Sequence, residues 1–344
     1  MQHTNWTSPQ NWQQITAIDA HTGGEPLRIF TSGIPPIPGD TILAKRRYAQ
    51  EHLDWLRTAT MWEPRGHADM YGCIFTEPVT PDGDLGVLFL HNEGFSTMCG
   101  HGIIALTKVA LDTGMIDKPG DAPVLKIDTP AGRVVATGKR GENGRITSVS
   151  FQNVPSFVLA LDQTVEVPGL GSVRYDVAYG GGFYAFVEAA SVGLGLTADD
   201  FRQLIDLGRR IKHAVMASLP IVHPFEPDLG FLYGTIFVGA AHDPAHHSRN
   251  VCIFADGEVD RSPTGTGVSA RAALHFAKGE IGLHEPFVVE SIIGSTFTGE
   301  VVATTEFGPH TAVVPQVTGT AHICGVNHLL IDPEDALGQG FLLR

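Results

Sequence analysis
The chain has 344 residues, 43% of them hydrophobic and 17% charged, with a formal net charge of −14, which suits one large or two ordinary packed domains. Its acidic residues are scattered, and this speaks against nucleic acid or anionic membrane as a partner, because both need basic surface. Small molecules remain as the ligands to expect.

In chain order, the opening stretch MQHTNWTSPQNW has no basic segment followed by an apolar run, and no window of about 18 uninterrupted apolar residues occurs later. Neither secretion nor membrane insertion is expected. A helix is expected over 41–59 behind Asp40, followed by the strands CIFTEPV and GVLFLH. A second helix, over 98–113, precedes the strands VLKIDT, RVVATG and RITSVSF. VRYDVAY and FYAFVE lead to a third helix over 197–215, whose start carries the capping pattern TADD, Thr197 to Asp200. LYGTIFV and VCIFAD come before a fourth helix over 263–277, and FVVES and HTAVVPQV follow it. Sheet-rich halves with one main helix each point to α+β, not to a wound parallel sheet.

Cys73, Cys99, Cys252 and Cys324 are far apart, which fits a reducing cytoplasm better than a disulfide framework and makes most of them core residues. In HDPAHHSR, at 242–249, His242 and His246 have the i, i+4 spacing of a metal grip. Pro244 makes the segment a loop, so no metal is expected there. His67 and Asp69 in GHADMYG, like Glu25 and Arg28, read as hydrogen-bonded structural residues.

An internal repeat organises the chain at an offset of 264 − 99 = 165 residues. At that shift GVLFLH meets VCIFAD, Gly100 and Gly102 meet Gly265 and Gly267, Ala105 meets Ala270, Gly114 meets Gly279, and Ile116 meets Ile281. With a gap of three, Gly132 aligns with Gly294, and AHTGGE weakly echoes AYGGGF. Two duplicated halves would face each other across a cleft, a usual place for a ligand.

Each repeat carries a Gly-x-Gly helix entry. Glycine lets backbone N–H groups approach a ligand, and the first helical turn leaves those groups unsatisfied and partly positive. A carboxylate could sit between two such starts, at Gly100–His101 and Gly265–Thr266. The same field would lower a thiol's pKa, so Cys99 is expected as a thiolate at neutral pH.

The blocks DAHTGGEPLRI (19–29), EPRGHADMYG (63–72), MCGHG (98–102), YGGGFYAFV (179–187) and DRSPTGTGVSA (260–270) resemble, in order, the signature blocks of the proline racemase family. The resemblance covers nearly the whole length. It implies a diaminopimelate-epimerase-like fold of two pseudo-symmetric halves, residues 1–155 rejoined by about 320–344 and residues 156–319, each wrapping a sheet around a central helix. It also implies a cofactor-independent reaction at the α-carbon of a proline-like imino acid, usually in a homodimer. By the same resemblance Asp260 and His101 lie beside the ring nitrogen, while Gly100, His101, Gly265 and Thr266 hold the carboxylate and ring. Asp260 could also cap the following helix.

The family's racemases and epimerases carry a cysteine in both motifs, and this chain has Thr264 in the second. A threonine hydroxyl is far too weak an acid to replace a thiol in two-base inversion. Cys99 with Thr264 resembles the branch acting on trans-3-hydroxy-L-proline, a hydro-lyase giving Δ1-pyrroline-2-carboxylate. The alternatives are 4-hydroxyproline 2-epimerase or proline racemase activity. Stereochemistry favours elimination, because the 3-hydroxyl and the α-hydrogen share one ring face, and a single thiol there could serve both. Thr264 is expected to close the opposite face.

Overall fold
The computed structural model describes residues 6–343, so the first residues of the opening stretch fall outside the described residues. The apolar runs form strands, and their burial follows their pattern. The strands Leu85–Leu90 and Ser248–Phe254, the sites of GVLFLH and VCIFAD, are buried along their entire length, as strands covered on both faces should be.

Five α-helices occur among the described residues: α1 (Ile42–His52), α2 (Asp54–Met61), α3 (Gly100–Asp112), α4 (Phe201–Ser218) and α5 (Gly265–Ala277). Parallel neighbours need crossovers, and the helices supply them. Glu25–Ser32 runs parallel to Gly72–Thr76 through α1 and α2, and Leu85–Leu90 parallel to Val124–Thr129 through α3. The same order recurs: Phe183–Glu188 runs parallel to Leu232–Gly239 through α4, and Ser248–Phe254 parallel to Phe287–Glu290 through α5. After each set one strand changes company. Ser156–Val167 lies antiparallel along Gly171–Tyr179, and Ala321–Ile331 lies antiparallel along Gln13–Thr22. His310–Gly319 pairs with Ile146–Gln152, so 18 strands of the described residues join in one mixed sheet.

α3 and α5 have no solvent face. From Gly100 to Thr107 and from Gly265 to His275 every residue is buried, the mark of a helix enclosed by sheet. Beyond each helix end a glycine, Gly114 or Gly279, takes the left-handed conformation with φ of +73° or +70°.

Two expected helices differ in detail. The span 41–59 is broken at Leu53, which lets Arg57 turn inward to the carbonyls of His91 and Asn92, and the N-cap is Thr41, not Asp40. The Thr41 hydroxyl accepts the Ala44 N–H at 3.0 Å. The Thr197–Asp200 capping box closes a separate 3-10 turn, and α4 starts after it and runs on to Ser218. Among the described residues no helix is long and apolar enough to cross a membrane.

Candidate active site
The starts of α3 and α5 meet in the middle of the molecule. A Cβ added to Gly100 would lie 2.6 Å from the Gly265 Cα, and one added to Gly265 would lie 2.7 Å from the Gly100 Cα. Only glycine at both positions allows the two backbones this approach. Beside the contact is a pocket lined by Cys99, Gly100, His101, Asp260, Thr264, Gly265 and Thr266, which brings together every site residue expected from the sequence. The reacting groups that line it are buried: Cys99 and Thr264 are each 4% exposed and Asp260 is 3% exposed.

Cys99 is the N-cap of α3, with extended backbone, and its Sγ accepts the Gly102 N–H at 3.2 Å. His101 Nδ1 lies 3.2 Å from the same sulfur, while His101 Nε2 lies 3.2 Å from the Pro26 carbonyl oxygen. A carbonyl only accepts, so the ring proton belongs on Nε2, and the Nδ1 lone pair faces the thiol. Burial pushes the His101 pKa down to about 3, which keeps the ring neutral. Burial also pushes the Cys99 thiol well above its ordinary range, with the Gly102 N–H offsetting part of the effect. The expectation of a resting thiolate is therefore overturned: desolvation outweighs the helix terminus, and the resting group is a thiol with a neutral imidazole as acceptor.

The equivalent position on α5 is built differently. Thr264 is also an N-cap, but its φ is +67° and ψ +93°, a conformation that costs a β-branched residue about 1–3 kcal/mol. Its N–H is held by the Ser262 hydroxyl at 3.1 Å. The Thr264 hydroxyl lies near Asp260 and Cys252 without the geometry of a hydrogen bond to either, and its buried oxygen has no hydrogen-bond partner among the described residues. Neighbouring Thr266 meets the Tyr184 hydroxyl at 2.6 Å.

Asp260 does not cap α5, since that place belongs to Thr264. Its Oδ1 accepts the Ser262 N–H at 2.7 Å, an Asx turn that aims the carboxyl group into the pocket. Burial raises its pKa to about 6, against the pull of the Ser262 groups, so it is mostly a carboxylate at neutral pH. Behind it, Glu25 accepts the Arg261 N–H at 2.7 Å, and burial and the Asp260 charge push its pKa well above the ordinary carboxylate range. Arg261 also pairs with Asp69 at 2.8 Å. Arg28 binds Asp19 with both oxygens and two backbone carbonyls besides.

Six further wall residues, Tyr71, Met98, Tyr184, Tyr233, Cys252 and Phe254, are not among those the sequence points to; Cys252 and Phe254 share the strand Ser248–Phe254, and the others come from separate segments with no common spacing. Tyr71, Met98 and Tyr184 lie inside signature blocks, which is the one signal the sequence offers for them. The Tyr71 hydroxyl bonds to Ser96 at 2.7 Å and to Tyr233 at 3.2 Å. Among the other cysteines Cys73 is core, whereas Cys324 is exposed. The histidine loop is tied to Glu290, which takes the His242 and Asp243 N–H groups and meets His246 Nδ1 at 2.9 Å.

A profile described as Proline racemase matches residues 17–342. A protein of Colwellia psychrerythraea named trans-3-hydroxy-L-proline dehydratase is 50% identical over 335 residues, covering 97% of this chain and 94% of that protein. A protein of Burkholderia multivorans named 3-hydroxyproline 2-epimerase is 43% identical over 332 residues, covering 96% of this chain and 99% of its own length. Among solved structures, a hydroxyproline epimerase from Agrobacterium vitis with bound trans-4-OH-L-proline superposes with a TM-score of 0.92 at 31% identity, covering 97% of this chain and 96% of that one.

Proposed function
Because the chain belongs to the proline racemase family, we propose that it dehydrates trans-3-hydroxy-L-proline to Δ1-pyrroline-2-carboxylate, with Cys99 as its one acid/base thiol. The observation that carries this reading is the pairing of Cys99 with Thr264 at the two helix starts that meet at Gly100 and Gly265. A hydroxyl cannot give or take the second proton that inversion requires.

The substrate carboxylate sits at the first-turn N–H groups of Gly100, His101, Gly265 and Thr266, which have no carbonyl partner within their own helices. The ring ammonium pairs with the Asp260 carboxylate. The thiol proton passes to His101 Nδ1 once substrate is bound, when the substrate carboxylate at the helix starts offsets the burial that otherwise keeps the ring neutral, and the ammonium beside Asp260 favours the negative sulfur that remains. Cys99 Sγ takes the α-proton as the C2=C3 bond forms and the C3–O bond breaks. The new S–H proton goes to the departing hydroxyl, which leaves as water from the same ring face, and the enamine tautomerises to the cyclic imine. Atoms and electrons balance within the substrate, so no redox partner enters. Thr264 closes the far face without transferring a proton.

The same reading treats residues 1–155 with about 320–344, and residues 156–319, as the two halves of a diaminopimelate-epimerase-like fold acting as a cytoplasmic homodimer. The repeated strand order and the free cysteines support it. The rival activities, 4-hydroxyproline 2-epimerase or proline racemase, need a proton donor in place of Thr264. Incubation with the isomers of proline, 3-hydroxyproline and 4-hydroxyproline separates the readings. The expected product is a cyclic imine that colours aminobenzaldehyde, from trans-3-hydroxy-L-proline alone. Recovery of intact amino acid with inverted rotation would overturn the assignment.

A further inference from the structure
A second cavity, of about 180 Å³, lies behind the active site and shares one wall with it: Tyr233 lines both. Its other notable lining groups are Arg46 of α1, Lys212 of α4, His91 and Glu93. Arg46 is 8% exposed. Among the described residues its one hydrogen bond is from Nε to the Phe95 carbonyl at 2.8 Å, and no carboxylate lies within ion-pair distance of it. The neighbouring acids are engaged elsewhere or point outward. Asp228 pairs with Arg47 at 2.6 Å, and the Glu93 side chain is 54% exposed and lies 3.9 Å from Lys212. Lys212 gives one hydrogen bond to the Ala255 carbonyl at 2.9 Å. His91 is kept neutral by burial and by the nearby Arg57 charge, so it adds a polar atom without a third cation.

A buried guanidinium with no counter-charge is costly, and its planar fork matches an oxyanion. We propose that this cavity is a binding site for a small oxyanion, a carboxylate or inorganic phosphate, held between Arg46 and Lys212. The cavity is below the usual size of a drug-sized ligand site, so the ligand is an anion of a few heavy atoms, not a nucleotide. This site is separate from the carboxylate seat at the helix starts, and it does not depend on the reaction assigned above.

The test is thermal melting of the full chain in chloride-free buffer, titrated with inorganic phosphate in one arm and acetate in the other. The wild type should show a saturable rise in Tm of about 2 °C or more with at least one of them, since a ligand of the folded state alone stabilises it. Arg46→Met should abolish the rise, and any anion effect at the active site cancels in the comparison because both proteins keep that site. Should Arg46→Met fail to fold, Lys212→Met decides in its place, as its side chain comes from another helix and gives one hydrogen bond, to a carbonyl. In bromide-soaked crystals an anomalous peak is expected between Arg46 and Lys212. The anion giving the larger variant-sensitive rise names the source. The proposal is overturned if neither anion raises Tm, or if both variants rise as the wild type does.

Discussion

Replacing Gly100 by Ala tests whether the touching helix starts are needed for the chemistry. The new Cβ would meet the Gly265 Cα at 2.6 Å, the Gly265 carbonyl carbon at 2.8 Å and the Thr266 nitrogen at 2.9 Å, all of them backbone atoms that no rotamer change can move aside. Carbon atoms rest at about 3.5–4.0 Å, so α3 and α5 must part by about 1 Å. Overpacking of that kind costs about 1–3 kcal/mol, while alanine regains roughly 1 kcal/mol of helix propensity over glycine. The fold should therefore survive with a modestly lower denaturation midpoint. The site should fare worse, because an error of about 1 Å in placing a reacting group costs on the order of 100-fold in rate. We expect kcat/KM for imine formation from trans-3-hydroxy-L-proline, followed with aminobenzaldehyde, to fall by about that factor. A variant within about threefold of the wild type would show that the helix starts need not touch, and would refute the carboxylate seat built on them.

Cys99→Ser should abolish imine formation while the fold persists, because an alcohol cannot act as the base at neutral pH; retention of more than a few per cent would reassign the base. Cys252→Ser is the control, since that thiol also lines the pocket and is pushed up by burial. Activity should survive it, and a loss equal to that of Cys99→Ser would move the acid/base role to the strand Ser248–Phe254. Thr264→Cys should add α-proton exchange and epimerisation of trans-4-hydroxy-L-proline, whose hydroxyl is too far from the α-carbon to be eliminated. The Thr264 hydroxyl has no hydrogen-bond partner to lose among the described residues, so a folded variant that still dehydrates but does not epimerise would show that pocket shape, not the missing thiol, sets the reaction.

Much of this site could be read from consecutive residues, and the parts that could not have a common cause. The Gly-x-Gly entries, the terminal Gly114 and Gly279, and the loss of a thiol at Thr264 are local facts that survive in a string of letters. The protonation state of Cys99 is not local. A helix terminus acts on a thiol from within its own first turn, whereas desolvation comes from the whole packed surroundings, and the Asp260 charge from the other half of the site adds to it. The positive φ of Thr264 was equally invisible, because it follows from the turn that Asp260 and Ser262 make before α5. Nor could the sequence show that the N-cap of α5 is Thr264 and not Asp260. Tyr71, Tyr233 and Phe254 meet only because strands distant in sequence converge on one wall.

Asp260 brings function and stability into opposition, and that opposition can be measured. Its pKa in the fold is about 6, against an ordinary 3.8, with burial as the main cause. A carboxyl group whose pKa is raised by folding favours the native state below its unfolded pKa, and that contribution is lost as pH rises through the folded pKa. The difference from 3.8 to about 6 amounts to about 3 kcal/mol against the fold at pH 7. Asn at this position keeps an oxygen for the Ser262 N–H and carries no charge. Asp260→Asn should therefore be more stable than the wild type at pH 7, by up to that amount, and the gain should shrink as pH falls from about 6 towards 4. Its kcat/KM should drop by about 100-fold or more, because the substrate ammonium loses its counter-charge in a desolvated site. The wild type's own kcat/KM should fall below about pH 6, as Asp260 takes up its proton. Denaturant midpoints of both proteins at pH 4 and pH 7, with rates at the same two values, decide the matter. A variant less stable than the wild type at both would mean that Asp260 holds the α5 turn together, and that its charge is there for the fold and not for the ring nitrogen.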